Sequence, residues 1–220
     1  MTKVAPSPIS VAVVGGGIMG RGIAASLAAA GHSVSVVESD AAAASSLLDR
    51  IAGQLESEPA VDAAASLERI SVGTVLDAVI AAGLVIEAVP EDMAIKTPLW
   101  QRLGELCDPA ALLASNTSAF DIDSLAELVP GPERVLGTHW FNPAIVVPCV
   151  EVVRGSATSD AVIDRTIALL AAAGKSPIVV ANSPGFVANR IQFALVREAL
   201  LCLEEGLASA EDIDTIVSTS

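Results

Sequence analysis

Short apolar runs alternate along this chain with longer segments of helical period. Ile9-Ser10-Val11-Ala12-Val13-Val14 and Val34-Ser35-Val36-Val37 read as buried strands flanking a helical stretch from Ile18 to Ala30. An Ala-rich helix is expected from about Ala41, then an acidic connector around Glu56-Ser57-Glu58-Pro59 and a short strand at Ile70–Val72. The pattern continues with a strand over Gly83–Val89, a helix over Met93–Leu106, a strand at Leu112–Ser115, a short helix at Ile122–Leu128 and a strand at Val135–Thr138. Cys149–Val153 and Ile178–Val180, separated by a helix over Asp160–Ala173, extend the same sheet. Strands alternating with helices predict a doubly wound α/β fold with a mostly parallel sheet and right-handed crossovers.

The pattern changes at Asn182-Ser183-Pro184-Gly185. Phe186 to Leu207 is apolar almost all round, and such a helix needs burial on several sides. The residues after it are too few to cover it. Two domains are therefore expected, 1–182 and a partial all-helical 183–220, with the Phe186–Leu207 helix pairing with a second copy in a homodimer or with sequence missing from this chain.

Gly15-Gly16-Gly17-Ile18-Met19-Gly20 lies between the first strand and the first helix, and Glu38 closes the second strand. A G-x-G-x-x-G in that context is a dinucleotide-binding fingerprint of the Rossmann type. Gly15 permits the tight turn, Gly17 lets a pyrophosphate approach the backbone, and Gly20 lets the helix pack closely on the sheet. Ile18 and Met19 open the helix, whose N-terminus favours phosphate. Glu38 can accept hydrogen bonds from both hydroxyls of an unmodified ribose. No Arg or Lys lies between Glu38 and Arg50 to balance a 2′-phosphate, so NAD is favoured over NADP.

Composition narrows the class. A chain of 220 residues is enough for one large domain with an appendage, burying roughly 70% of its unfolded surface. A formal net charge of −14 argues against nucleic acid and against an anionic membrane surface. Cys107, Cys149 and Cys202 are widely spaced, with neither disulfide nor metal-site spacing, and fit a reduced cytoplasmic protein. Lys3 and the apolar stretch after it resemble a leader, but the glycine turn explains that stretch better.

Two histidines are present. His32 reads as a turn residue at the end of the first helix. His139 follows a strand at the carboxyl end, where open α/β sheets place ligands. Glu151 sits inside the apolar run Val150-Glu151-Val152-Val153, and a carboxylate there is costly to bury unless paired. A His139–Glu151 dyad answers that cost; a hydrogen-bonded core histidine is the alternative.

The blocks Gly15–Gly20, Glu87-Ala88-Val89-Pro90-Glu91, Ser115-Asn116-Thr117-Ser118, Gly137-Thr138-His139-Trp140-Phe141-Asn142-Pro143, Val150-Glu151-Val152 and Asn182–Arg190 occur in the order and spacing of the 3-hydroxyacyl-CoA dehydrogenases, which the chain resembles over most of its length. The resemblance implies an NAD-dependent oxidation of a secondary alcohol in fatty acid metabolism. It implies that His139 takes the hydroxyl proton and that Glu151 holds the resulting imidazolium. Ser118 and Asn189 then hydrogen-bond the reacting oxygen or its neighbours, Asn142 fixes the nicotinamide side, and Glu91 and Lys96 line the cofactor. Simpler roles stand beside these: Ser118 as the cap of the helix near Asp121, Lys96 as a solvated helix residue, Asn142 as a turn former.

Two features depart from the family pattern. Its helical domain is far longer than the segment after Asn182, which raises a fragment, a truncated product or a cofactor-binding module without turnover. Its acyl-CoA members also carry basic residues after the second strand. Here residues 41–69 hold Asp49, Glu56, Glu58, Asp62 and Glu68 against Arg50 and Arg69. Together with Pro148, that balance keeps open a relative acting on a free hydroxy acid or alcohol of the carnitine, gulonate or pyridine-carboxylate type.

Overall fold

The computed structural model describes residues 7–219; Lys3, on which the leader-like reading turned, lies outside them. The chain divides into two compact units that meet between Asn182 and Ser183. In the first unit β1 (Ser10–Val14) leads into α1 (Ile18–Ala29), then β2 (Ser33–Val37), α2 (Ala41–Ser45), α3 (Leu47–Glu56), α4 (Ala63–Leu67) and β3 (Ile70–Gly73). The second half runs β4 (Leu84–Glu87), α5 (Met93–Leu106), β5 (Leu112–Ser115), α6 (Ile122–Ala126), β6 (Val135–Trp140), β7 (Cys149–Arg154), α7 (Asp160–Ala172) and β8 (Ser176–Ala181). All eight strands form one sheet in the order β3-β2-β1-β4-β5-β6-β7-β8.

The doubly wound expectation holds, and strand order reverses between β1 and β4, the place where such sheets open a crevice for ligands. One pair differs from the parallel reading: β6 and β7 run antiparallel. Residues 141–148 join them without a helix, and a parallel return needs a crossover of a dozen or more residues. The Ala-rich helix also breaks in two at Ser46, where Ser45 Oγ donates to the Ala42 carbonyl and Ser46 Oγ to that of Ala43. Hydroxyls that bond back to the preceding turn compete with the helix ladder.

The core lies between sheet and helices. Val11, Val13, Val34, Val36, Leu84 and Ile86 pack with Ile23, Ala24, Leu27, Leu47 and Ile51. Alanines on α1 let it lie close on the sheet, and Gly20 allows the closest approach: a Cβ there would stand 1.8 Å from the Gly15 carbonyl oxygen. His32 follows the turn at the end of α1, as the sequence suggests, but it is buried there. It is 3% exposed, and its Nδ1 accepts the Ile9 backbone N–H at 3.2 Å, tying the start of β1 to β2; burial pushes its pKa down.

The second unit contains α8 (Ala188–Glu204) and α9 (Ala210–Thr219). Gly185 and Phe186 enter it with positive φ, at 73° and 47°. The second value is unusual for a bulky residue and sets the direction in which α8 starts. No residue of α8 is buried: Ile191, Phe193, Leu195, Val196 and Leu200 are all more than half exposed.

Candidate active site

An open cavity of about 760 Å³ lies along the carboxyl ends of β1, β2, β4 and β5. Its wall includes Gly15, Gly17, Ile18, Met19, Glu38, Glu91 and Ser118. Gly15 adopts φ 106°, a conformation that disfavours any side chain, and its N–H donates to the Val37 carbonyl at 2.8 Å. Around Gly17, which lines the cavity, a Cβ would meet nothing within 4 Å, so packing within the protein does not require a glycine here. No side chain caps α1, whose first turn opens onto this space. Glu38 Oε2 accepts the Gly16 N–H and Oε1 the Asp40 N–H, both at 3.0 Å. These bonds hold the carboxylate at the rim, with further lone pairs on each oxygen for ribose hydroxyls. Open backbone, a helix N-terminus and an anchored acid suit NAD.

His139 and Glu151 occupy directly opposed positions of the antiparallel β6–β7 pair, so both side chains leave the same face. His139 Nδ1 stands 2.8 Å from Glu151 Oε2, with the residues 4% and 3% exposed. On the other side of the ring, His139 Nε2 stands 3.1 Å from Ser118 Oγ, so each ring nitrogen faces one polar oxygen. Phe141 leans on the imidazole with ring centroids 4.7 Å apart. Ser118 does not cap α6, because the Asp121 carboxylate does so by accepting the Asp123 N–H. The same Glu151 charge, after burial, pushes the Cys149 thiol pKa up, so that neighbour is a poor nucleophile.

Other sequence-selected residues stand apart from the cavity wall. Gly20 is buried behind it. Lys96 is neither a solvated residue nor part of the wall: it is 1% exposed, with Nζ 2.6 Å from Glu87 Oε1 and 3.2 Å from Glu91 Oε2. Asn142 is exposed and precedes Pro143 through a cis peptide bond. Asn189 belongs to the second unit, in the first turn of α8.

Three positions received no role in the sequence reading, two of them inside the blocks that carry the resemblance. Asn116 lines the cavity, and its Oδ1 accepts the Trp140 N–H at 3.1 Å, fixing the end of the strand that carries His139. Glu87 is 0% exposed beneath the cavity; a lone acid closing the apolar run Leu84-Val85-Ile86 was its signal. Lys175 donates to the carbonyls of Ala144 and Val147 at 2.6 and 3.2 Å and lies 5.6 Å from the Trp140 ring. It thereby clamps the 141–148 connection, and burial lowers its pKa. Nothing local in Gly174-Lys175-Ser176 announces that role.

Residues 10–183 match the family model for the 3-hydroxyacyl-CoA dehydrogenase NAD binding domain, and 185–220 match that for the C-terminal domain of the same enzymes. A probable 3-hydroxybutyryl-CoA dehydrogenase of Bacillus subtilis is 37% identical over 94% of this chain and 74% of its own length. The 3-hydroxyadipyl-CoA dehydrogenase of Escherichia coli is 39% identical over 93% of this chain; the match spans less than half, 44%, of that protein. Among solved structures, a 5-formyl-3-hydroxy-2-methylpyridine 4-carboxylic acid 5-dehydrogenase, an NAD⁺-dependent dismutase, superposes with a TM-score of 0.85 at 32% identity, covering 97% of this chain and 71% of that one. With its glycine turn, the anchored acid after β2 and the histidine near the end of β6 set on this sheet, the chain belongs to the 3-hydroxyacyl-CoA dehydrogenase family of NAD-dependent oxidoreductases.

Proposed function

We propose that the chain oxidises the secondary alcohol of an L-3-hydroxyacyl-CoA to the 3-ketoacyl-CoA, with residues 1–182 holding NAD and 183–220 forming part of a helical substrate and dimerisation domain. The observation that carries this reading is the contact line Glu151–His139–Ser118, which ends beside Ser118 on the wall of the cavity.

Bound NAD⁺ supplies the hydride acceptor. The protein's part is to place the alcohol and take its proton. His139 Nε2, kept as the proton-accepting nitrogen by the Nδ1–H bond to Glu151, accepts the hydroxyl proton as the carbon becomes a carbonyl. Glu151 stabilises the imidazolium that results. Ser118 turns its hydroxyl from Nε2 to the substrate oxygen, and Asn189 is assigned the same oxygen or its neighbours. Gly15, Gly17, Ile18, Met19 and Gly20 form the phosphate turn and Glu38 receives the ribose; Asn142 is assigned to the nicotinamide side. Glu91 and Lys96 act together, since the lysine reaches the cavity through the glutamate.

A second reading, oxidation of a free hydroxy acid or alcohol, is favoured by the segment after β2. Its two guanidinium groups are already engaged with main chain: Arg50 with the Ala43 and Ser46 carbonyls, Arg69 with that of Ala65. Little positive charge is left there for the phosphates of CoA. A panel of 3-hydroxybutyryl-CoA, carnitine, gulonate and a hydroxymethylpyridine carboxylate, followed by NADH absorbance, decides between them. Turnover of the CoA ester alone supports the first reading, and turnover of free acids alone the second. NAD binding with silence throughout the panel leaves a cofactor-binding module.

Among the described residues no helix is long and apolar enough to cross a membrane. The three free cysteines fit a cytoplasmic setting, and the exposed apolar side of α8 fits a homodimer interface. A native mass at twice the chain weight is expected; a monomer at micromolar concentration contradicts the dimer.

A further inference from the structure

The buried pair Glu87–Lys96 is remote from the reacting atoms, yet two chains of its contacts lead toward them. Glu87 closes β4 at 0% exposure. Its Oε1 accepts the Val89 N–H at 2.9 Å and Lys96 Nζ–H at 2.6 Å; its Oε2 accepts Trp100 Nε1–H at 3.2 Å and Ser115 Oγ–H at 2.7 Å. A carboxylate with donors on both oxygens has no freedom to turn. Ion pairs buried this deeply are poor sources of stability, because apolar residues of similar volume often serve as well. What they supply is direction.

Two routes run from Glu87 to His139. Along the first, Lys96 holds Glu91 at 3.2 Å, and Glu91 Oε1 accepts the Ser118 N–H at 2.6 Å and Thr117 Oγ1–H at 2.7 Å. That fixes the backbone carrying the Ser118 hydroxyl, 3.1 Å from His139 Nε2. Along the second, the Glu87 main-chain carbonyl accepts the Asn116 N–H at 2.7 Å, and Asn116 Oδ1 accepts the Trp140 N–H, next to His139. Side chain and main chain of Glu87 thus hold Ser115 and Asn116, while Glu91, held by Lys96, takes the Thr117–Ser118 end of the same segment.

We propose that Glu87 is a positioning residue for the His139 site: with Lys96 it forms a rigid anchor that sets Glu91, and through Glu91 the Ser118 hydroxyl, against His139 Nε2. This rests on the reading of His139 as the base. Glu87 does not itself line the cavity or reach the imidazole; it bonds the main-chain N–H groups of the wall residues Val89 and Asn116, bonds that glutamine's carbonyl oxygen and the unchanged main chain keep, so the effect of losing its charge falls mainly on the chemical step.

The test is Glu87→Gln in the full chain, with three readouts: steady-state turnover, NAD⁺ affinity by calorimetry, and ¹⁵N imidazole spectra. Only two histidines are present, so His32 serves as an internal control for His139. Misplacement of a contact group by a fraction of an ångström to an ångström costs up to about a hundredfold. The expected result is a folded variant whose kcat falls about tenfold or more, with NAD⁺ affinity within about threefold. The His139 resonances should move while those of His32 stay in place. Parent-like kcat or unmoved His139 resonances in a folded variant overturn the proposal. So does a loss confined to NAD⁺ affinity, which would make the pair part of the cofactor site. If the lone Lys96 charge prevents folding, the doubly neutral E87Q/K96M variant is read by kcat and the His139 resonances alone, with the same expected and overturning outcomes for those two, because Lys96 is itself assigned to the cofactor side. Absence of turnover in the parent chain counts against the proposed activity, while the His139 spectra still decide the positioning role.

Discussion

Glu151→Gln is the perturbation that most sharply separates a catalytic dyad from a buried hydrogen bond. The substitution keeps volume and shape at a position 3% exposed, 2.8 Å from His139 Nδ1. It removes the negative charge and offers an amide N–H to Nδ1, which favours the tautomer with its proton on Nε2. The base then has no lone pair toward the substrate. A hydrogen bond to a charged group contributes about 1.5–3 kcal/mol, which alone corresponds to about 10- to 150-fold. Loss of the correct tautomer extends this toward the whole general-base factor, about 10²–10⁴-fold. We therefore expect kcat to fall by about 10²–10⁴ with KM for NAD⁺ nearly unchanged, measured as initial NADH formation across substrate concentration. A variant that keeps kcat within about threefold of the parent refutes the tautomer reasoning, since no lesser role of Glu151 is then being tested.

The remaining expectations concern the cofactor turn and acid stability. Gly17→Ala should leave the melting temperature close to the parent, because open space surrounds that position, but weaken NAD⁺ binding. Gly20→Ala should instead destabilise by about 1–3 kcal/mol or more, since its Cβ meets the Gly15 carbonyl at 1.8 Å; equal melting curves for the two variants would rule this contrast out. Glu38→Ala should lower NAD⁺ affinity by about tenfold or more and narrow the preference over NADP⁺, read by calorimetry with both cofactors; an unchanged ratio tells against the ribose contact. Burial holds the folded-state pKa of His32 below the ordinary histidine value of about 6.5. Its neutral form stabilises the fold fully above that value, and the contribution is lost as pH falls through the lowered one. Urea midpoints should therefore drop on acidification below about pH 6.5, and the drop should shrink in His32→Asn.

Local chemistry made much of the site legible. The glycine turn and the acid after β2 follow two successive strands, and each has one mechanical reason to be there. Glu151 was found because a carboxylate in an apolar strand demands a partner, and the antiparallel register then set that partner opposite it. The same demand applied to Glu87, but its partners arrive from α5 and β5, and no local pattern names them. Lys96 illustrates the limit. Its spacing on a helix is compatible with solvent, cofactor or core, and only the packing of α5 over Glu87 decides. The reversal at β7 was readable in principle from the helix-free connection 141–148. Lys175, which clamps that connection, was not, because its acceptors are main-chain carbonyls that any sequence provides.

Central to this account is an imidazole that takes a proton beside a nicotinamide held by the glycine turn. The direct measurement compares the parent chain with His139→Gln, recording NAD⁺ affinity by calorimetry and single-turnover NADH formation on the best substrate of the panel. The account predicts affinity within about twofold and a rate lower by about a hundredfold or more. A variant that binds NAD⁺ normally and still turns over within a few-fold of the parent would contradict it.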